Sequence, residues 1–250
     1  WKNDAHSLQW KSRLSDKLNL DVLGYYSQYD YGIFNQSGIN DFDLNSQIQD
    51  LGGKIFLNYA LGGSHKLTLG GEMKSLQIQP GELIPTGPEE EILPRKVQDE
   101  QGREIAGHIQ HEFELGEKFG LSYGVRYDLY QYLGARTVRQ YAPNRPILDG
   151  SAVGEVQYGA GQEIQSYDGL GPRGSLRYSF SKYSSVKLGY NKMYQFIHLI
   201  SNTATIAPTD VWKLSDNFLE PQIADQISIG VYNNFKGNIF GIGLLNQVIH

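Results

Sequence analysis

The sequence predicts an all-β fold, a segment of an antiparallel transmembrane β-barrel with about ten strands. Three observations carry this prediction. Apolar and polar residues alternate with a period of two, short turns and long polar connections follow one another in order, and the 250 residues include 17 Tyr and 29 Gly. A barrel strand turns only alternate residues toward lipid, so the mean hydropathy of -0.42 is compatible with a membrane-spanning sheet.

The clearest strand covers residues 121–129. Leu121, Tyr123 and Val125 alternate with Ser122, Gly124 and Arg126. A helix would spread these apolar residues around its axis, so the pattern favours a strand. The same alternation marks further strands within residues 8–14, 18–22, 55–59, 67–73, 105–115, 176–180, 186–190, 227–231 and 240–244.

The connections between these strands alternate in length. Short turns are predicted near residues 15–17, 62–64, 116–118, 181–183 and 236–238, and long polar loops near 32–46, 79–101, 134–168 and 199–224. Loops longer than about 15 residues are uncommon within compact domains. A soluble β-sandwich also has alternating strands, but it does not require this rhythm, which is typical of outer-membrane barrels.

Aromatic residues collect near the predicted strand ends. This is where an interfacial girdle is expected in a membrane barrel. The residues are Tyr25, Tyr26, Tyr29, Tyr31, Tyr130, Tyr132, Tyr194 and Phe196.

Charged residues on the polar face of the strands are expected to line a hydrated lumen. In a dry core they would be costly unless paired, whereas in a wide barrel they meet water and neighbouring ion pairs. The residues are Glu112, Glu114, Arg126, Asp128, Arg173 and Arg177.

Composition and motifs exclude several classes of function. Cysteine is absent, and the net charge of -5 argues against a nucleic-acid partner. No apolar run reaches the roughly 18 residues of a membrane-spanning helix. His108 and His111 fall on opposite strand faces and the other histidines on separate elements, so we expect no metal site. No catalytic motif is present, and we expect neither catalytic residues nor a cofactor.

The stretch SLRYSFSKYSSVKLGYNKMYQF at 175–196 reads as a strand, a turn and a strand, and TDVWKLSDNFLEPQIADQISIGVYNNF follows at 209–235. Pro221, Gln222 and Gln226 occupy the places of a "Pro, Gln or Glu, x, x, x, Gln" strand approach. On these residues the sequence resembles TonB-dependent outer-membrane receptors, most specifically over about 170–235. Independently of the resemblance, Pro221 suits a strand entrance because it cannot donate to a ladder.

The resemblance implies that residues 1–250 are a partial barrel domain, an open part of a 22-stranded barrel in the outer membrane of a Gram-negative cell. It implies outer-membrane lipid around the wall, and a plug domain and TonB as partners in the full-length protein. A surface lipoprotein is a further possible partner. The implied function is import of a scarce nutrient, such as an iron chelate, a vitamin complex, or an oligosaccharide or peptide, bound at extracellular loops.

Four aromatic residues in the predicted loops are candidate contacts for cargo: Tyr141, Tyr158, Tyr167 and Trp212. Loop packing explains these rings equally well, and for Trp212 packing is the preferred interpretation. Two alternatives to a receptor remain at this point. One is a complete ten-stranded outer-membrane enzyme resembling a protease or lipase, and the other is an adhesive or structural barrel. A sheet in which the first strand pairs with the last would favour the enzyme.

Overall fold

A computed structural model describes residues 1–35, 41–86, 93–144, 147–148, 150–200, 211–235 and 238–250. Every regular element within these ranges is a β-strand, and none of them contains a helix able to cross a membrane. The strands are β1 (Lys2–Arg13), β2 (Leu18–Asn35), β3 (Phe42–Gly62), β4 (His65–Pro85), β5 (Arg95–Lys96), β6 (Glu100–Leu115), β7 (Phe119–Leu133), β8 (Arg136–Tyr141), β9 (Ala152–Tyr158), β10 (Glu163–Ser179), β11 (Ser184–Gln195), β12 (Ile197–Ile200), β13 (Val211–Leu214), β14 (Gln222–Phe235) and β15 (Asn238–Ile249).

Ten long strands form one antiparallel path in the order β1-β2-β3-β4-β6-β7-β10-β11-β14-β15, and β5 adds to β4. The pairs β8–β9 and β12–β13 are separate hairpins. The prediction of about ten antiparallel strands is therefore confirmed. Within the described ranges β1 pairs with β2 alone and β15 with β14 alone, so the sheet is open. The alternative of a closed ten-stranded barrel is wrong for this chain.

The two faces of the sheet differ in burial. On β4, Leu69 and Met73 are exposed on one face, whereas Leu76 and Ile78 are almost fully buried on the other. Successive side chains of a strand point to opposite faces, which produces this contrast from an alternating sequence. We call the face with Leu76 and Ile78 the inner face, and the face with Leu69 and Met73 the outer face.

Several strands extend beyond the alternating pattern, and the predicted loop bounds are wrong at these places. Within the predicted loop 32–46, residues 32–35 belong to β2 and residues 42–46 to β3, and the two strands pair with Tyr31 opposite Ser46 and Ile33 opposite Leu44. Residues 79–85, 163–168 and 222–224 also lie in strands. Backbone hydrogen bonds hold these extensions irrespective of side-chain polarity, so a hydropathy pattern does not show them.

The short turns predicted near 15–17, 62–64, 116–118 and 181–183 are confirmed, whereas residues 236–237 of the predicted turn 236–238 and residues 201–210 of the predicted loop 199–224 lie outside the described residues. At the short turns before β4 and β7, Gly62 and Gly116 have φ angles of 113° and 60°, a conformation that glycine adopts without strain. β14 begins at Gln222, directly after Pro221, as the strand-entrance prediction requires.

Charged side chains of the inner face form ion pairs with their neighbours. Arg126 contacts Glu72 at 3.1 Å and Asp128 at 2.6 Å. Arg177 contacts Glu114 at 2.7 Å. The expectation of ion-paired charges along the polar face is confirmed for these residues.

Candidate functional site

The long connections meet at one end of the sheet, opposite the short turns. They join β4 to β6, β7 to β10 and β11 to β14. Their regular parts are β5 and the two hairpins β8–β9 and β12–β13. Consecutive antiparallel strands reverse direction, so every second connection must fall at the same end, and this end is where a site can be assembled.

The hairpin β12–β13 folds onto the inner face of the wall. Phe196, just before β12, stacks on Tyr130 of β7 with ring centroids 4.7 Å apart and planes 7° from parallel. Leu214 of β13 is fully buried against the same group. The cluster comprises Leu76, Ile78, Tyr130, Tyr132, Phe196 and Leu214, and Trp212 packs against it. This apolar cluster fixes the position of the hairpin.

A buried carboxylate joins three connections at the cluster. Glu100 is 3% exposed. One of its oxygens accepts the backbone N–H of Leu214 at 2.7 Å, and the other accepts Lys213 at 3.0 Å and Arg136 at 3.3 Å. Two cations and a backbone donor thus offset the cost of burying its charge. Glu100 ties the start of β6 to β8 and to β13.

Asp216 shapes the turn after β13. Its side chain accepts the backbone N–H groups of Phe218 at 2.8 Å and Leu219 at 2.9 Å, and Lys213 at 2.6 Å. An aspartate that binds backbone two and three residues ahead is a standard turn device. The wall anchors the turn as well, since the hydroxyl of Tyr167 donates to the Asp216 carbonyl at 2.6 Å.

Beside this turn, the hydroxyl of Tyr130 donates to the carbonyl of Ser215 at 2.9 Å. The Ser215 hydroxyl lies 2.8 Å from Nε2 of His198, which is 5% exposed. Burial lowers the pKa of His198, and the nearby Lys213 ammonium lowers it further. The imidazole is therefore neutral at neutral pH, and Ser215 and His198 satisfy one another inside the hairpin.

A cavity of about 550 Å³ opens between the turn at 217–218 and the hairpin β8–β9. The ring of Tyr141 meets that of Phe218 edge to face, with centroids 5.7 Å apart. Residues lining it include Val138, Arg139, Gln140, Tyr141, Ile147, Val153, Val156, Tyr158, Ile164, Asn217 and Phe218.

An adjoining cavity of about 330 Å³ shares Tyr141 and Phe218 with the first. It is also lined by the charged residues Arg136, Lys213 and Asp216. The guanidinium of Arg136 lies over the ring of Tyr132, 5.4 Å from its centroid. The Tyr132 hydroxyl is buried and has no hydrogen-bond partner within the described residues. Aromatic faces, guanidinium groups and amides around one opening suit a partly flat ligand with acidic or hydrogen-bonding groups.

The four predicted cargo contacts separate into two groups. Tyr141 and Tyr158 line the larger cavity together. Tyr167 and Trp212 instead pack against the apolar cluster of the hairpin. The structure places the first pair where a ligand could reach them and gives the second pair a packing role. Ligand binding by any of the four stays a prediction.

Sequence reasoning missed Glu100, Asp216 and Phe218. Glu100 follows Asp99 in a polar stretch, and Asp216 lies between Ser215 and Asn217, so nothing in the local sequence of either residue predicts burial. The large ring of Phe218, in the turn after β13, was the signal in the sequence that could have identified a cavity residue.

Two histidines from separate strands meet in the structure. His65 and His111 belong to separate strands, yet their ring nitrogens lie 3.2 Å apart across the β4–β6 pair. Strand pairing brings them together, which spacing along the sequence cannot show. Within the described ranges, no three His, Asp or Glu side chains are grouped so that they could hold a metal ion.

Comparison with solved structures shows the same fold in larger chains. The copper transporter OprC is 14% identical with a TM-score of 0.67, covering 99% of this chain and 39% of that one. An FrpB iron transporter from Neisseria meningitidis is 13% identical with a TM-score of 0.65, covering 99% and 37%. The ferric yersiniabactin uptake receptor FyuA from Yersinia pestis is 12% identical with a TM-score of 0.62, covering 98% and 35%.

The chain thus spans somewhat under two fifths of the length of these proteins. No curated protein matches the sequence. The family described as "TonB dependent receptor-like, beta-barrel" matches residues 1–245. That match covers nearly the whole open sheet and its loop-end hairpins. The chain therefore belongs to the TonB-dependent receptor family and contributes part of its β-barrel.

Proposed function

We propose that this chain forms part of the wall and loops of an outer-membrane receptor that binds a scarce nutrient at its loop end and imports it to the periplasm. The observation that carries the proposal is the pair of cavities between the hairpin β8–β9 and the turn after β13, in a chain of a receptor family. In the full-length protein the remaining strands close a 22-stranded barrel, and a plug domain and TonB drive release of the cargo. The wall does no chemistry.

The proposed membrane setting rests on the outer face. Large apolar side chains are exposed there on adjacent strands: Leu51, Ile55, Leu69, Met73, Ile105, Ile109, Val125 and Tyr127. A contiguous apolar surface of this extent is not stable in water and marks contact with lipid. The inner face, with its ion pairs, faces the aqueous lumen.

The cavities favour a metal chelate or vitamin complex over a neutral oligosaccharide. Tyr141, Tyr158 and Phe218 offer ring faces and edges, and Arg139 lines both cavities. Chelating ligands carry acidic oxygen groups on flat frameworks, which such a lining fits. The solved structures with the same fold are named as transporters or receptors of copper, iron and ferric yersiniabactin, which supports a metal-complex cargo here.

Uptake assays test this proposal. The full-length gene is expressed in cells with and without TonB, and the cells are offered a ferric catecholate, cobalamin and a maltooligosaccharide, each radiolabelled. We expect TonB-dependent uptake of one metal complex, reduced at least about tenfold by Tyr141→Ala with Phe218→Ala. Tyr183→Ala, an exposed ring at the short-turn end, is the matched control and should transport normally. Uptake of the metal complex that does not need TonB, or that survives the double substitution, would contradict the proposal.

A further inference from the structure

The outer face changes character along each strand. Toward the short turns it carries exposed Ile55, Met73 and Ile105. Toward the long connections the same face of the same strands carries Gln49, Gln77 and Gln101, because these positions keep the same parity. The lipid-facing surface therefore ends in a polar border on the side of the long connections.

Glutamines dominate this border. Gln28, Gln49, Gln77 and Gln101 are direct cross-strand partners in a row over β2, β3, β4 and β6. The next row holds Asp30, Gln47 and Gln79. We call these seven residues the amide platform. Such a row requires the register of four strands, so it is invisible in the sequence.

Four of the seven residues of the platform are bonded to one another. Gln28 donates to Asp30 at 2.8 Å, and Gln47 donates to the same carboxylate at 2.6 Å. Gln49 donates to Gln47 at 2.8 Å. These bonds fix the side chains in place, so ligand binding would lose less conformational entropy in ordering them.

Two of the other three residues are open to solvent. Gln77 and Gln79 are exposed, and their amides have no side-chain hydrogen bond within the described residues. Beside Gln79 lies a groove of about 440 Å³, lined among others by Lys2, Asp30, Glu82 and Lys96. Lys96 pairs with Glu82 at 3.7 Å, and Asp99 also lines the groove, so its carboxylates outnumber its lysines by one. The groove thus offers both donors and acceptors, and its slight acidic excess favours uncharged hydroxyl groups over anionic groups.

We propose that the amide platform and its groove bind the sugar headgroup of a glycolipid in the outer leaflet. An amide donates and accepts at once, which matches the hydroxyl groups of a sugar. The platform is continuous with the lipid-facing surface: Met73 and Gln77 are four residues apart on β4, about 13 Å along a strand. A lipid whose chains cover Met73 therefore places its headgroup at Gln77. This inference rests on the proposed membrane setting.

Binding to the purified full-length protein in detergent tests the inference. Three probes are titrated: rough lipopolysaccharide, its core oligosaccharide freed from lipid, and phosphatidylglycerol with matched acyl chains. The variant Gln77→Leu/Gln79→Leu removes the open amides. Since neither side chain has a hydrogen-bond partner among the described residues, the fold should be unaffected. Gln157→Leu, an exposed glutamine on β9 outside the groove, is the matched control.

We expect lipopolysaccharide to bind more tightly than either other probe. The double variant should weaken that Kd about tenfold, as for the loss of roughly two neutral hydrogen bonds, and the control should not. Equal Kd values for the double variant and the unaltered protein would overturn the inference. So would equal binding of the free oligosaccharide or the phospholipid, or a dimer that the double variant dissociates. Cargo binding by the same samples reports on the proposed function separately, because the platform lies outside the cavities.

Discussion

Charged side chains of the inner face lie in two different environments. Near the short-turn end of the wall, Arg177 and Glu114 form a pair whose side chains are 45% and 57% exposed. At the loop end, Glu100 is 3% exposed and holds three donors from two other connections. Solvent screens the first pair, which therefore contributes little to stability. The buried charge of Glu100 is stable only because all three donors offset the cost of removing it from water. The difference shows that the loop end is a folded unit built on the wall.

The largest effect is expected from Glu100→Leu. It leaves Arg136 without its carboxylate, leaves Lys213 with Asp216 alone, and removes the acceptor of the Leu214 N–H, a loss of about 3–5 kcal/mol for a buried pair with one partner deleted. The hairpin β12–β13 should open while the wall stays folded. Trypsin cleavage after Lys213 measures this opening, and cleavage at the wild-type rate would contradict the role of Glu100.

A smaller effect is expected from Leu214→Ala. The side chain is fully buried against Tyr130 and Tyr132, and truncation of a buried leucine costs about 2–5 kcal/mol depending on relaxation. The ion pairs of Glu100 with Lys213 and Arg136 are unchanged, so trypsin cleavage after Lys213 should rise less than in Glu100→Leu. Leu148→Ala, at a 63% exposed side chain, is the control and should leave the cleavage rate unaltered.

Acid should loosen the same hairpin. Burial lowers the pKa of His198 in the folded state, so the open state binds the proton more readily. Stability of the hairpin is therefore complete above the ordinary histidine pKa near 6.5 and falls as pH drops below it toward the lowered value. Protection factors of the β12 amides against hydrogen exchange, at pH 7 and pH 5, measure the change in hairpin stability. In His198→Asn these factors should depend much less on pH. An unchanged pH dependence would mean that other groups cause it.

The smallest effect is expected from Glu114→Gln on the exposed wall pair. Exposed pairs contribute about 0–1 kcal/mol, so neither the sheet nor the hairpin should respond measurably. Thermal unfolding of the full-length protein and trypsin cleavage after Lys213 check both. A loss as large as that of Glu100→Leu would remove the contrast between the wall and the loop end.

The wall was predictable from sequence because its signal is local. Leu121, Tyr123 and Val125 alternate with polar neighbours within one strand. The face on which each residue lies determines separately whether that residue is apolar or polar. The Gly62 and Gly116 turns were predictable for the same reason, since their backbone conformations favour glycine. Strand extensions such as 32–35 were not, because they follow from pairing with β3.

The site was predictable only in part. Tyr141 and Tyr158 stood out as rings in polar loops, and they line one cavity. Glu100 acquires its role from Lys213 and Leu214, more than a hundred residues away. The row through Gln49 and Gln77 likewise depends on cross-strand register. Such features arise from tertiary placement, which no local pattern encodes.

Hydrogen exchange of residues 211–219 in the full-length protein tests most directly whether the loop end is folded onto the wall. The Leu214 N–H donates to buried Glu100, and the turn after it is bonded to Tyr130 and Tyr167. We predict that the Leu214 amide is protected nearly as strongly as amides of β6, and that Glu100→Leu removes this protection. Exchange of Leu214 as fast as that of the exposed loop residues 147–148 would contradict the account.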